Sequence, residues 1–311
     1  MVFWSAKTCL TDAVLLLWIT IAQLCLYAAW RGRANWGVVA CWAIVTGLAV
    51  LTKGPVIFGV QGATLILLWI FGRKPLMRPS PIVSMSISNL LESAFARVAL
   101  FTIILCAIAG PWLFLVTQRE PTFLSRSITH DVIGRATSAL ENHWGPPGYY
   151  FATIWGMFFP WSLFLVAAIA RGFVRWRSPI HRFALCAIVG PWVMFECIST
   201  KLPHYLLPVF PFLALLVADA IVAACRKRNR WLGDRAFMTA AYVWGGIVCA
   251  LGVGVIALAA IGREPWWIYL STFVFALALI VMVALTIRWL RRQLPAGAAI
   301  VMGVGTWIAC M

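Results

Sequence analysis

The chain has 311 residues, of which 63% are hydrophobic and 11% are charged, and its mean hydropathy is +0.93. This composition excludes an ordinary soluble domain, in which roughly a quarter of the residues are charged. The formal net charge of +16 could indicate nucleic-acid binding, but the placement of the basic residues indicates a different origin, and no nucleic-acid partner is expected.

Apolar runs divide the chain from end to end. A helix that spans a bilayer needs roughly 20 apolar residues, and the runs lack the alternating polarity of barrel strands. We therefore predict an all-α fold, a polytopic integral membrane helical bundle with about ten transmembrane helices. In chain order the runs cover residues 13–30, 36–51, 56–71, 98–117, 149–170, 183–199, 205–225, 236–262, 266–287 and 296–311.

The segment between the third and fourth runs carries a weaker helical pattern. Apolar residues recur at helical spacing between Arg78 and Arg97, on the side opposite Asn89 and Glu92. This pattern predicts a short amphipathic helix lying on the cytoplasmic surface. A re-entrant or simply packed loop is the alternative.

The basic residues indicate how the runs are oriented. Most of the 25 lysines and arginines lie in the odd-numbered links between runs. Because positive residues near span ends stay in the cytoplasm, the odd links are predicted to face inward and the even links outward. The charge is therefore a topology signal, and Asp219, near the inner end of its run, is expected to pair with an inner arginine.

The two ends of the sequence suggest a longer protein. The predicted topology places Met1 outside, yet no basic n-region or small-residue cleavage site precedes the first run. At the other end, the chain stops within or at the end of an apolar run. We expect at least one span and one outer loop to be missing upstream; the alternative is a genuine protein with an outer N-terminus.

Polar residues gather at the predicted outer ends of the runs. Asp12 opens the first run, Lys53 lies in the link after the second, and Lys201, His204 and Tyr205 follow Glu196 at the end of the sixth. Charged groups at membrane depth are costly and are usually functional or paired. Helix packing could bring these residues around one cavity, although for Asp12 with Lys53 a structural ion pair is favoured over direct catalysis.

The long outer segment, residues 117–151, supplies the other candidates. Arg135 together with Lys201 would form an anion site for a lipid phosphate, because a guanidinium binds phosphate bidentately and an ammonium adds a point charge. A solvated arginine without a ligand is the alternative. His130 and His143 could bind a metal or transfer protons near neutral pH, but their spacing matches no strong metal motif.

Four stretches, taken in this order, resemble the polyprenyl-phosphate-dependent membrane glycosyltransferases of the GT-C superfamily, especially the aminoarabinose transferase-like and protein mannosyltransferase-like branch. The resemblance covers roughly residues 3–225. It rests on Thr11-Asp12-Ala13, on the lysine-glycine turn in Gly47 to Pro55, on His130, Arg135, His143, Pro146, Tyr149, Tyr150 and Pro160-Trp161, and on Ser199 to Pro208.

The resemblance implies a role for each matched residue. Arg135, Lys201 and Tyr205 would hold the phosphate of a polyprenyl-phosphate-linked sugar, with Lys53 and His143 as further substrate-binding residues. His130 would occupy a metal-linked position, so a divalent metal is the cofactor to consider, and no nucleotide cofactor is expected. Asp12 with Lys53 would order the site, which leaves Asp12 as a weak catalytic candidate.

The general base of the family is a carboxylate in the first outer loop, ahead of the first run found here. The chain alone is therefore expected to be inactive. Residues 1–225 are interpreted as a partial GT-C-like transmembrane core, and residues 226–311 as further transmembrane helices truncated at the C-terminus.

The resemblance implies transfer of a sugar to a glycolipid such as lipid A, a polysaccharide or a protein, at the outer, periplasmic or extracellular face of the bacterial cytoplasmic membrane. Two other functions remain open. A secondary transporter would also use many spans with intramembrane prolines, and a non-catalytic lipid-phosphate-binding subunit would depend on a partner.

Overall fold

The computed structural model describes residues 11–72, 87–134, 145–226, 234–262 and 265–310. In these ranges the regular elements are helical, which confirms the predicted all-α class. A π-helical segment covers Ser127–Gly134, and 3₁₀ helices cover Trp161–Phe164 and Pro203–Val209. The α-helices are α1 (Thr11–Trp30), α2 (Trp36–Lys53), α3 (Val56–Phe71), α4 (Ile87–Arg119), α5 (Phe123–Arg126), α6 (Tyr149–Met157), α7 (Leu165–Val174), α8 (Pro179–Cys197), α9 (Phe210–Cys225), α10 (Arg235–Gly262), α11 (Trp266–Arg291) and α12 (Pro295–Cys310).

The helices confirm a multi-pass membrane protein. Within the described ranges, seven helical stretches are long and apolar enough to cross a bilayer, or eight if the bent pair Tyr149–Met157 and Trp161–Val174 is one span. The apolar helices Val56–Phe71 and Pro295–Trp307 are shorter. Large apolar side chains such as Trp69 and Val174 are each 86% exposed, as expected for surfaces in contact with lipid tails.

The structure differs from the predicted elements in two places. The predicted run 149–170 is broken after Met157, because Pro160 has no N–H to donate to the preceding turn. The described part of the predicted surface helix belongs to α4, which continues without interruption from Ile87 to Arg119. No glycine or proline lies between Ile87 and Val98 to end a helix there. Residues 73–86 lie outside the described residues.

Contacts divide the chain into two compact units, which are described separately. The first contains Met1–Met157 and Arg175–Phe212, and the second contains Phe158–Val174 and Leu213–Met311. These units do not follow the division at residue 225. That division concerned family resemblance rather than compactness, and it stays a prediction.

In the first unit, small residues let the helices approach closely. The main packed pairs are α1 with α2, α2 with α4, and α3 with α8. A Cβ added at Gly190 of α8 would lie 2.7 Å from the backbone carbonyl carbon of Ala63, and one added at Gly47 would lie 2.9 Å from the Ile108 side chain. Small residues play this role widely in membrane bundles, where van der Waals contact drives helix association.

The second unit is built on two helical hairpins, α10 with α11 and α11 with α12. A Cβ added at Gly245 would lie 2.7 Å from the Val283 side chain. In the same unit, Arg171 Nε donates to Asp219 Oδ2 at 2.5 Å. This ion pair confirms the prediction that Asp219 pairs with an arginine. Between α10 and α11, the buried apolar cluster consists of Val248, Leu279, Met282 and Val283.

Candidate functional site

An ion pair joins the predicted outer ends of α1 and α2. Asp12 lies in the first turn of α1 and Lys53 is the last residue of α2, and Lys53 Nζ donates to Asp12 Oδ1. An acid in a first turn and a base in a last turn also match the two helix dipoles. The Asp12 carboxylate is buried, at 8% exposure, so the predicted structural pair is observed.

The local sequence explains why Lys53 ends its helix at this point. Gly54 has φ +71, and its N–H donates to the Val50 carbonyl at 2.8 Å. Glycine adopts this left-handed conformation without the steric cost that a side chain would bring. At the other end of α2, the Asn35 side chain accepts from the Val38 N–H at 2.8 Å, which fixes where the helix begins.

The 3₁₀ helix Pro203–Val209 brings two aromatic side chains to the same ion pair. His204 Nε2 lies 3.5 Å from Asp12 Oδ2. Lys53 Nζ lies 5.3 Å from the centroid of the Tyr205 ring, a distance at which the ring quadrupole attracts a cation. The rings of His204 and Tyr205 are 5.1 Å apart and perpendicular. Three segments far apart in sequence therefore meet at one polar cluster.

A second pair lies next to this cluster along the chain. Lys201 is 6% exposed; its Nζ donates to the Glu196 backbone carbonyl at 2.6 Å and lies 3.9 Å from the Glu196 carboxylate. One ammonium has three N–H donors. Lys201 can thus keep this anchor and still donate to an anion.

The Glu196 carboxylate has a further function, because it accepts from the first amides of α6. The N–H groups of Gly148 and Tyr149 lie 2.5 and 3.0 Å from Oε1, and that of Tyr150 lies 3.4 Å from Oε2. These amides belong to a first helical turn, which has no carbonyl partners within its own helix. The preceding residues, Gly145 to Gly148, are glycines and prolines and offer no side-chain acceptor. Glu196 is therefore the cap of α6.

The start of α6 is also tied to the segment that carries Lys201. The Tyr150 hydroxyl donates to the Leu202 carbonyl at 3.3 Å, and the Tyr150 side chain is fully buried. A Cβ added at Gly145 would lie 2.9 Å from Lys201 Cδ. Glycine at position 145 thus leaves the space in which the lysine stem packs.

The predicted site residues are brought together only in part. Asp12, Lys53 and Tyr205 meet directly, and Lys201 lies four residues before Tyr205 in the same segment. Arg135 and His143 lie outside the described residues. His130 belongs to the described segment Ser127–Gly134, but its side chain is not described. The anion-site role of this set stays a prediction.

Metal binding also stays a prediction. Across the ranges that the structure describes, no group of three or more His, Cys, Asp or Glu side chains is placed to hold a metal ion. Of the two histidines considered as metal ligands, His143 and the side chain of His130 lie outside the described residues. No chemical step is therefore assigned to a metal.

Sequence reasoning assigned no role to two members of the site. Glu196 and His204 were expected among the polar residues at the outer face, but neither was given a partner. A charged residue at the outer end of an apolar run was the available signal for Glu196. Its partners could not be inferred, because the contact spans 48 residues.

No family model matches the chain. Curated relatives are nevertheless similar to most of it. The undecaprenyl phosphate-alpha-4-amino-4-deoxy-L-arabinose arabinosyl transferase of Yersinia enterocolitica is 26% identical over 290 residues, covering 89% of this chain and 49% of the relative. The transferase of the same name from Yersinia pestis (strain Pestoides F) is 28% identical over 266 residues, covering 83% of this chain and 44% of the relative.

Solved structures share the fold. The crystal structure of ArnT from Cupriavidus metallidurans bound to undecaprenyl phosphate matches with a TM-score of 0.70 at 21% identity, covering 97% of this chain and 52% of that chain. The apo structure matches with a TM-score of 0.67 at 20% identity. The chain spans about half the length of these relatives and structures. The resemblance to the aminoarabinose transferase-like branch is thus confirmed: the chain is similar in sequence to these transferases and has the polytopic helical fold of ArnT.

Proposed function

We propose that the chain is the membrane-embedded part of a glycosyltransferase that moves a sugar from a polyprenyl-phosphate donor to an acceptor. The similarity over 89% of the chain to a transferase named for an undecaprenyl phosphate-linked aminoarabinose donor carries this proposal. The position of the polar cluster, at helix ends rather than at the middle of the spans, supports it. We place the reaction at the outer face of a bacterial cytoplasmic membrane, because the basic links indicate that this cluster faces outward.

The proposed chemistry is a displacement at the anomeric carbon of the sugar. The bond from that carbon to the phosphate oxygen breaks, and a bond to an acceptor hydroxyl oxygen forms. Cationic groups would stabilise the phosphate as it leaves, a role that we assign to Lys201, with Arg135 and a hydrogen bond from Tyr205. The acceptor proton passes to a general base.

We do not assign the general base to Asp12. Its carboxylate is buried and engaged with Lys53 and His204, so we give this pair the task of ordering the lysine and the aromatic rings around it. The base would instead come from the acidic first outer loop that the family resemblance implies. The acceptor classes that the family resemblance implies are a glycolipid such as lipid A, a polysaccharide and a protein.

A transfer assay tests the proposal. The full-length protein, reconstituted in vesicles, would receive an undecaprenyl phosphate-linked, radiolabelled aminoarabinose and lipid A, and labelled lipid A would be measured. We expect transfer by the unaltered protein and loss of transfer in Lys201→Ala. Arg119→Ala is the matched control, because Arg119 is an exposed base at the end of α4. Uptake of the free sugar into vesicles without any polyprenyl carrier would instead support a transporter.

A further inference from the structure

A group of three arginines occupies the end of α11, in the second unit. Arg288, Arg291 and Arg292 are exposed and line an open cleft of about 360 Å³ together with Ala284 and Ile287. The proposed transfer reaction uses none of these residues. The cleft therefore needs an explanation of its own.

One of the three guanidinium groups is held in place by α10. Arg291 Nε donates to the Tyr242 hydroxyl at 2.6 Å, and its guanidinium carbon lies 5.3 Å from the centroid of the Tyr242 ring. A guanidinium has five N–H donors, and this bond uses one. The remaining donors of Arg291 thus have a fixed position beside those of Arg288 and Arg292.

In the described part of the chain, no carboxylate pairs with the arginines of the cleft. Between Arg235 and Met311 the sequence contains a single acid, Glu264, which precedes Trp266, the first residue of α11, by two positions in the sequence. Asp234, just before α10, accepts from the Arg235 N–H. No ion pair joins Arg288, Arg291 or Arg292 to a carboxylate among the described residues. Favourable interaction with the helix dipole and retention of positive loops in the cytoplasm account for basic residues here, but neither requires a cleft or an anchored guanidinium.

We propose that this cleft binds the phosphate headgroup of an anionic membrane lipid. Guanidinium groups bind phosphate bidentately, and basic pockets beside membrane helices recognise anionic headgroups. Ala284 lies about one turn before Arg288, and Ile287 lies about one turn before Arg291. Both offer an apolar wall for the first part of an acyl chain. Trp289 packs on Gly297, where an added Cβ would lie 2.5 Å from the indole. A tryptophan at this level is typical of the membrane–water interface.

Native mass spectrometry tests the site. The protein would be released from vesicles of phosphatidylcholine mixed with phosphatidylglycerol, and bound phosphatidylglycerol would be counted for the unaltered protein and for Arg288→Gln/Arg292→Gln. Losing the charge-assisted hydrogen bonds of two guanidinium groups to the phosphate predicts retention of one phosphatidylglycerol that is weaker by on the order of a hundredfold. Phosphatidylcholine retention is expected to be unchanged, which shows that the variant is folded.

Two further variants separate the cleft from general surface charge. Arg31→Gln/Arg33→Gln removes two basic residues from another predicted inner link, and it should retain phosphatidylglycerol as the unaltered protein does. Arg288→Lys/Arg292→Lys keeps the charge and should retain most of the binding. Equal losses in both glutamine pairs would overturn the proposal, as would displacement of the lipid by inorganic phosphate at matched concentration, since that would indicate a free-anion site.

Discussion

Lys201 illustrates how a buried cation can be both anchored and available. Its ammonium donates to the Glu196 carbonyl at 2.6 Å, and its stem lies beside Gly145, four residues before α6. In the full-length protein we expect Lys201→Ala to weaken undecaprenyl phosphate binding by about 1.5–3 kcal/mol, the typical contribution of a hydrogen bond to a charged group. Thermophoresis in detergent would measure the dissociation constant. Arg119→Ala should leave it unchanged, and an unaltered constant in Lys201→Ala would remove the phosphate-site assignment.

Glu196 acts at the same scale but on the backbone. Replacing it with alanine would remove the side-chain acceptor of the Gly148 and Tyr150 amides, whereas the Tyr149 amide would keep its bond to the Pro146 carbonyl at 3.1 Å. We expect the free energy of unfolding to fall by about 1.5–3 kcal/mol and the Gly148 and Tyr150 amides to exchange faster with deuterium. Hydrogen-exchange mass spectrometry would measure the exchange rates of these amides.

The matched control for Glu196 is Glu120→Ala, which removes an exposed acid at the end of α4. Glu196→Gln should fall between the unaltered protein and Glu196→Ala, because its amide oxygen can still accept one of the bonds without a charge. Unchanged exchange at the start of α6 in Glu196→Ala would show that the cap is dispensable.

At the scale of elements, α3 and α8 approach each other at a glycine whose nearest neighbours are backbone atoms. The nearest atoms to a Cβ added at Gly190 belong to the Ala63 and Thr64 backbone, at 2.7–3.0 Å, and a backbone cannot rotate aside as a side chain can. We expect Gly190→Ala to destabilise the protein by about 1–3 kcal/mol through overpacking. Thermal unfolding followed by size-exclusion chromatography in detergent would measure the change in unfolding temperature.

Gly62 of α3 provides the control for that prediction. A Cβ added there meets nothing within 4 Å, and replacing glycine with alanine in a helix interior is favourable by about 1 kcal/mol. Gly62→Ala should therefore raise the unfolding temperature while Gly190→Ala lowers it. Equal shifts in both variants would mean that the close approach of α3 and α8 is not important for stability.

At the scale of the whole molecule, the sequence predicted best those features that depend on the hydrophobicity of one continuous segment. Uninterrupted apolar runs predicted the spanning helices because a bilayer forces the backbone to satisfy its hydrogen bonds within each span. The same reasoning failed at Pro160, where an apolar composition hid a break, and at Ile87, where polar residues hid the continuation of α4. Hydrophobicity alone does not report either feature.

The candidate site was less predictable for a related reason. Asp12 and Lys53 were paired correctly because helix ends on one side of a membrane are few. The cap that Glu196 provides and the contact between His204 and Asp12 depend on how non-neighbouring segments pack. Composition and spacing carry no information about such contacts. The ordered resemblance to a family supplied the remaining residue roles.

The cap of α6 also affects the order in which the protein folds during synthesis. Gly148 leaves the ribosome 48 residues before Glu196, which at typical synthesis rates corresponds to roughly 2–10 s. During that interval the start of α6 has no carboxylate to accept its amides. The end of the polar outer segment can therefore take its final position only after α8 has entered the membrane, so the order of insertion determines when the site can assemble.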